Sequence, residues 1–266
     1  MYNMSGLFKL VGGKGNKKIN SWILSYFPPH QLYIEPFIGG GSIFYNKDKA
    51  PKSIINDINP DFVAAHTYIS SLSPKELKKI QNTKFNEETF QNALERLENP
   101  KCTQRGYYTL IRQRMSRGGL GRTFSKSDRL RGGQIEGQNS WDNWAANLDK
   151  YKDKLVGTTV CNSDFSEVFD FYGHAMDENC LIYVDPPYLD ETRTSNLYEY
   201  EFDRKDHVIL AAYLLNTKAK VLLSGYDSEL YRQIYKDWNC ERLEVANHSG
   251  QNFKKQRRIE CLWKNY

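Results

Sequence analysis

Apolar positions along the chain alternate between short continuous runs and stripes at helical spacing, the pattern of an α/β protein. Leu32-Tyr33-Ile34, Ser53-Ile54-Ile55-Asn56, Val160-Cys161-Asn162, Leu181-Ile182-Tyr183-Val184 and Val221-Leu222-Leu223 read as strands. Ile19, Trp22, Ile23 and Tyr26 share one face of a helix that Pro28 and Pro29 stop. A helix opening near Asp203 and Asp206 is predicted to set Val208, Ile209, Ala212 and Leu215 on one face. Residues 242–246 and 259–263 read as an edge hairpin.

Between about His66 and Leu155 the strand signal fades. Ser73-Pro74-Lys75-Glu76 opens a helix with proline in its first turn, Phe90, Leu94 and Leu97 follow at helical spacing, and Trp141, Trp144, Leu148 and Tyr151 mark another helix. The expected organisation is a discontinuous α/β domain, residues 1–67 and 158–266, around a mainly helical insert, residues 68–157.

The 266 residues suffice for such a domain with an insert, and no apolar stretch approaches membrane-spanning length. Residues 1–18 lack the apolar core of a signal peptide, so the expected location is cytoplasmic and no membrane partner is expected. Cys102, Cys161, Cys180, Cys240 and Cys261 are odd in number and widely spaced, which predicts reduced structural thiols and no metal site. Charge changes the picture more. The net charge is +5, yet residues 101–135 carry nine basic residues against the single acid Asp128. That window is +8 and leaves the remainder at −3. Arg112, Arg114, Arg117, Arg122, Lys126, Arg129 and Arg131 lie in it among Gly118, Gly119, Gly121, Gly132 and Gly133. A solvated face is the ordinary reading of a charge run. Arginine forks on a glycine-rich loop instead favour a polyanion, with a planar fork for phosphates and base edges and a loop free to follow a nucleic-acid surface.

The sharpest chemical signal is Asp185-Pro186-Pro187-Tyr188 directly after an apolar strand, because ligands in open α/β sheets gather beyond the carboxyl ends of strands. A carboxylate and a backbone carbonyl freed by proline can accept both hydrogens of an exocyclic base amine, and a tyrosine can stack on a base drawn out of the duplex. Taken alone, Asp-Pro is equally a strand-ending turn. Glu35-Pro36-Phe37-Ile38-Gly39-Gly40-Gly41 after the first strand, leading into a predicted helix, adds a strand, glycine loop, helix order like the start of a Rossmann sheet. Asp57, at the end of the next strand, is spaced to bind ribose hydroxyls or to serve as a turn residue. S-adenosylmethionine has a ribose and no pyrophosphate, so no phosphate-cradling fingerprint is required.

These motifs together resemble the Dam-like adenine-specific DNA methyltransferases of the alpha group, over most of the chain and in that family's order. Gly12-Gly13-Lys14 is similar to the N-terminal cofactor motif, residues 35–41 to the methionine loop and Asn56-Asp57-Ile58-Asn59 to the ribose motif. Asp164-Phe165 resembles the adenine-side motif, residues 185–188 the catalytic motif, and Arg258-x-Glu260-x-x-Trp263-x-x-Tyr266 the closing strand. Residues 115–124 and Leu189-Asp190-Glu191-Thr192-Arg193 are similar to a phage and prophage subgroup. Leu10 departs from the family's usual aromatic. The resemblance implies a Rossmann-like S-adenosylmethionine-dependent methyltransferase with a helical target-recognition insert, acting on adenine N6 in double-stranded DNA as a monomer or weak dimer in a bacterium or phage-infected host. It implies catalytic Asp185, Pro186, Pro187 and Tyr188, and cofactor binding by Lys14, Glu35, Phe37, Gly39, Gly41, Asp57, Ile58, Asp164, Phe165 and Asp185.

Other readings separate by residue. No cysteine follows a proline, against ring-carbon cytosine methylation. Cytosine-N4 methylation shares the geometry but commonly shows Ser where Asp185 stands, and a catalytically silent DNA-binding protein would not need the intact Asp-Pro-Pro-Tyr. His207 is expected on a helix surface or in the core; His248, near Lys254 and Lys255, is placed to approach DNA.

Overall fold

A computed structural model describes residues 4–10, 12–126, 129–189, 202–246 and 257–266. The first half of the chain runs α1 (Lys17–Leu24), β1 (Leu32–Glu35), β2 (Lys52–Asn56), α2 (Pro60–Ser70), α3 (Pro74–Gln81), α4 (Glu87–Glu98) and α5 (Arg105–Met115). It continues through β3 (Leu130–Arg131), β4 (Gln134–Ile135), α6 (Glu136–Ala145), α7 (Leu148–Leu155), β5 (Thr158–Cys161), α8 (Phe165–Tyr172) and β6 (Cys180–Val184). Then follow α9 (Arg204–Asn216), β7 (Lys220–Tyr226), α10 (Glu229–Ile234), β8 (Asn239–Ala246) and β9 (Arg257–Lys264). Two compact units result. One holds Met1–Asn20, Gly39–Lys49 and Asn59–Asn162; the other holds Ser21–Ile38, Ala50–Ile58 and Ser163–Tyr266.

The second unit carries six strands of a seven-stranded Rossmann-like sheet, in the order β2-β1-β6-β7-β9-β8. β2, β1, β6 and β7 are parallel, and β9 and β8 close the edge as an antiparallel hairpin. Parallel strands covered on both faces need continuous apolar runs, and all five residues of β6 are buried. Strand order reverses about β1, which has β2 on one side and β6 on the other, so the loops leaving β1 and β6 diverge over a crevice. Glu35 ends β1 and Asp185 follows β6.

Helix α9 starts with the reciprocal Asp203/Asp206 capping box that the sequence announces. Its buried face differs from the expected one: His207, Leu210, Ala211 and Leu214 point inward, while Val208, Ile209, Ala212 and Leu215 are exposed. The helix is apolar on two faces, so spacing alone cannot choose between them. His207 decides the phase, because its ring packs edge-on against Phe202 and its Nδ1 hydrogen bonds with the Tyr231 hydroxyl at 2.8 Å.

The first unit gathers α2 to α7, β5 and the β3/β4 hairpin, so residues 68–157 fall inside it. Ser73 and Glu76 form a full capping box at α3. Two expectations change here. The helix expected after Ser42 is instead a set of turns, with Tyr45 N–H on Gly41 O and Lys47 N–H on Ile43 O. Trp141, Trp144, Leu148 and Tyr151 are all buried but lie on two helices, α6 and α7, parted at Ala146 and Asn147. Each pair keeps helical spacing, so the stripe continues across the break. Among the described residues no helix is long and apolar enough to cross a membrane, and no three His, Cys, Asp or Glu side chains converge as a metal site.

Candidate active site

In the second unit, Tyr33 and Glu35 sit two apart on β1 and therefore share a face. The Tyr33 hydroxyl donates to Glu35 Oε2 at 2.6 Å, and both residues are buried. Burial, then the Glu35 carboxylate, then Tyr183 and last Asp185 push the Tyr33 phenol well above its ordinary range. Tyr183 on β6 rises for the same reasons, burial first and Asp185 next, although Ser224 shares a 2.8 Å hydrogen bond with its hydroxyl. The field of Asp185 is thus felt by aromatic side chains on two adjacent strands. Asp185 itself is half-buried, directly beyond the fully buried β6. Pro186 is buried, Pro187 half-buried, and the buried Tyr188 donates its hydroxyl to Glu260 Oε2 at 3.1 Å.

Asn56, the last residue of β2, ties three loops together. Its Nδ2 donates to Pro36 O and to Ser163 O, each at 3.0 Å, and its Oδ1 accepts from Ser163 N–H at 3.0 Å. The loops bearing Glu35 and Phe37, Asp57 and Ile58, and Asp164 and Phe165 are thereby held on one scaffold. Asp164 caps α8 through Ser166 N–H at 2.9 Å, and Ile58 is exposed. Phe37, Phe165 and Phe202 form a phenyl triad with centroid separations of 5.6, 5.4 and 5.4 Å. Asn56 and Glu260 were not among the site residues expected from sequence, although both stand inside recognised motifs. Their side chains act on partners more than 70 positions away.

In the first unit, Gly39 and Gly41 adopt φ of +45° and +68°, where a Cβ is strained. The Gly39 carbonyl accepts from His66 Nε2 at 2.8 Å. Lys14 is buried, with Nζ donating to Gly12 O at 3.1 Å.

The basic residues of this unit divide. Arg112 pairs with Asp61 at 3.0 Å, and Asp61 also takes Arg105. Arg114 donates to Leu7 O at 2.8 Å with its guanidinium 4.2 Å from the Trp144 ring, and burial lowers it to about 10. Both are half-buried and tied to these protein partners, a correction to their expected place on an open DNA surface. A guanidinium committed to a buried carbonyl and an indole face is not free to reach a phosphate. Arg117, Arg122, Lys126 and Arg129 are exposed, Lys126 beside Glu87 at 2.9 Å, and Arg131 lies on the β3/β4 hairpin. Residues 190–193 and His248, Lys254 and Lys255 lie outside the described residues.

A Rossmann-like sheet with carboxylates and aromatic rings at the carboxyl ends of β1, β2 and β6 fits the class of enzymes that take a nucleoside-containing cofactor. The chain belongs to the D12 class N6 adenine-specific DNA methyltransferases, whose family model matches residues 11–249. It is 25% identical to the type II methyltransferase M1.LlaDCHI of Lactococcus lactis subsp. cremoris, over 99% of this chain and 96% of that one. It is 25% identical to the DNA adenine methylase of Haemophilus influenzae, over 96% and 91%. To the type II methyltransferase M.CviBI of Paramecium bursaria Chlorella virus NC1A it is 24% identical, over 99% and 100%. The resemblance read from the motifs is borne out. The protein is an S-adenosylmethionine-dependent methyltransferase that modifies adenine N6 in DNA.

The second unit suits that cofactor. The phenyl triad offers apolar faces for an adenine ring, and Asp57 and Asp164 are carboxylates of the kind that accept from ribose hydroxyls and the adenine amine. The surrounding acids suit its positive sulfonium and ammonium groups.

Proposed function

We propose that the protein methylates an adenine turned out of double-stranded DNA, by direct in-line transfer with Asp185 as the group that orients the amine. The observation that supports this most is the seat of Asp185: half-buried, immediately beyond the buried strand β6, next to the point where strand order reverses. An adenine amine is a poor nucleophile because its lone pair is delocalised into the ring. The Asp185 carboxylate and a carbonyl of the Pro186-Pro187 pair accept its two hydrogens, draw the nitrogen toward tetrahedral geometry and aim the lone pair outward. Bound S-adenosylmethionine supplies the electrophilic methyl group. Asp185 accepts the proton that the methylated nitrogen sheds, and Tyr188 forms the stacking wall for the base.

In this reading Asp57 and Ile58 hold the ribose, Phe37, Asp164 and Phe165 the cofactor's adenine, and Lys14, Glu35, Gly39 and Gly41 its methionine end. Arg117, Arg122, Lys126, Arg129 and Arg131 bind DNA phosphates. Residues 68–157 act as the target-recognition insert and residues 1–67 with 158–266 as the catalytic body, a division supported by the run of helices α3 to α7. The protein works as a monomer or weak dimer in the cytoplasm of a bacterium, encoded by it or by a phage.

The test is Asp185→Ala assayed on a random-sequence plasmid library, with modified adenines mapped by single-molecule sequencing. Turnover is expected to fall on the order of 10²–10³-fold or more, the scale for losing one directed partner at a reacting group, with folding and DNA affinity kept. Near-normal turnover in a folded Asp185→Ala protein sinks the mechanism.

A further inference from the structure

Tyr188 stands four residues beyond the end of β6, on a loop of two prolines and no regular hydrogen-bond ladder. A ring that is to serve as a wall for a base needs its plane held. The neighbouring strands β7 and β9 hold it. Glu260 on β9 accepts the Tyr188 hydroxyl at 3.1 Å, and Tyr226 on β7 meets the Tyr188 ring edge-on, centroids 4.5 Å apart at 75°. In the β7/β9 register Tyr226 lies directly opposite Glu260, so one cross-strand pair grips both the tip and the side of the ring.

We propose that Glu260 is a positioning residue for methyl transfer, fixing the plane of the Tyr188 ring through the hydroxyl hydrogen bond. This rests on the reading of Tyr188 as the wall of the base pocket. A buried carboxylate is costly unless it is well hydrogen-bonded, and Glu260 is only 8% exposed. Its neighbours on β9, Cys261, Leu262 and Trp263, are buried and apolar, so packing alone calls for an apolar residue here. Burial, then Asp185, then Glu260 push the Tyr188 phenol well above its ordinary range, which keeps the hydroxyl a donor at working pH.

The test compares Glu260→Ala, Glu260→Gln, Tyr188→Phe, Tyr188→Ala and the Tyr188→Phe/Glu260→Ala double variant, as full-length proteins methylating plasmid DNA. Glu260→Ala and Tyr188→Phe are expected to lower kcat to a similar degree, roughly 10–100-fold, with KM for S-adenosylmethionine within about twofold of wild type. Glu260→Gln, which keeps an acceptor, restores most of the rate, and the double variant is no worse than either single one. Wild-type kcat in Glu260→Ala or Tyr188→Phe, with Tyr188→Ala inactive, overturns the positioning role and leaves the base wall standing. Full activity in Tyr188→Ala overturns the base wall itself, and the positioning role with it. Should Glu260→Ala fail to fold, Tyr188→Phe carries the comparison, since it removes only the hydroxyl.

Discussion

His66 Nε2 lies 2.8 Å from the Gly39 carbonyl, and its Nδ1 lies 2.7 Å from the Tyr45 hydroxyl. A carbonyl only accepts, so Nε2 carries the ring proton and Nδ1 accepts from Tyr45. The ring is wholly buried and neutral, and it braces the glycine turn from inside the first unit. Burial lowers its pKa from 6.5 to about 4 against a smaller opposing effect of the Gly39 hydrogen bond.

That pKa sets a pH dependence. Below pH 6.5 the unfolded chain binds a proton at His66 that the folded protein refuses, so this contribution is complete above 6.5 and is lost progressively as pH falls toward 4. The loss amounts to about 3 kcal/mol at most. Urea midpoints measured from pH 7.5 to 4.5 should fall more steeply for wild type than for a folded His66→Gln protein. Parallel curves reject the assignment.

The inward and outward arginines should behave oppositely. Arg114→Ala removes a charged donor to Leu7 O and a guanidinium packed on Trp144, and is expected to cost about 1.5–3 kcal/mol of stability while leaving the salt dependence of DNA binding unchanged. Arg117→Ala with Arg122→Ala should leave the thermal midpoint alone and flatten the log–log salt slope by about 0.9 for each phosphate no longer neutralised. Binding titrations at several salt concentrations, beside thermal melts, separate the two cases.

Asn56→Ala should injure cofactor use without touching the reacting groups. It strands Ser163 N–H and removes the donors to Pro36 O and Ser163 O, at about 1–3 kcal/mol for each buried group left unpaired. The expected outcome is a lower thermal midpoint and a KM for S-adenosylmethionine raised roughly tenfold, about 1.4 kcal/mol of weaker binding. An unchanged KM in the folded variant argues that the three loops hold themselves.

Cysteine reactivity gives an independent check on the edge hairpin. Opposite Trp263 on β9, Cys240 lies diagonally across the ladder from Cys261, which makes the two thiols neighbours. Cys240 has its pKa lowered, first by the neighbouring Cys261 thiol and also by Arg242, whereas the Cys240 thiol and burial raise Cys261, and burial raises Cys180 to about 12. Alkylation by iodoacetamide, followed by mass spectrometry across pH, should modify Cys240 before Cys180 and Cys261. Cys261→Ala should move the Cys240 labelling profile to higher pH.

Much of this protein is written locally. The strands around Ile34, Ile54, Ile182 and Leu222 follow from short apolar runs, the starts of α3 and α9 from Ser73/Glu76 and Asp203/Asp206, and the chemistry from Asp185-Pro186-Pro187-Tyr188 at a strand end once it is read in order with the short motifs at residues 35–41, 56–59 and 164–165. Each element or motif depends on residues within a few positions of one another, so sequence order is sufficient.

What tertiary structure alone decided concerns partners far apart in the chain. Arg114 reads in sequence as one more cation in a basic stretch, and only the placement of Leu7 and Trp144 turns it inward. Helix α9 is apolar on two faces, and only the pocket of Phe202 and Tyr231 selects the face with His207. Tyr188 meets Glu260 across 72 residues, and Asn56 meets Ser163 across 107. Spacing along a chain carries no information about such distances. They are set when β1, β2, β6, β7 and β9 take their order in the sheet, which brings the loop after one strand against the side chains of another.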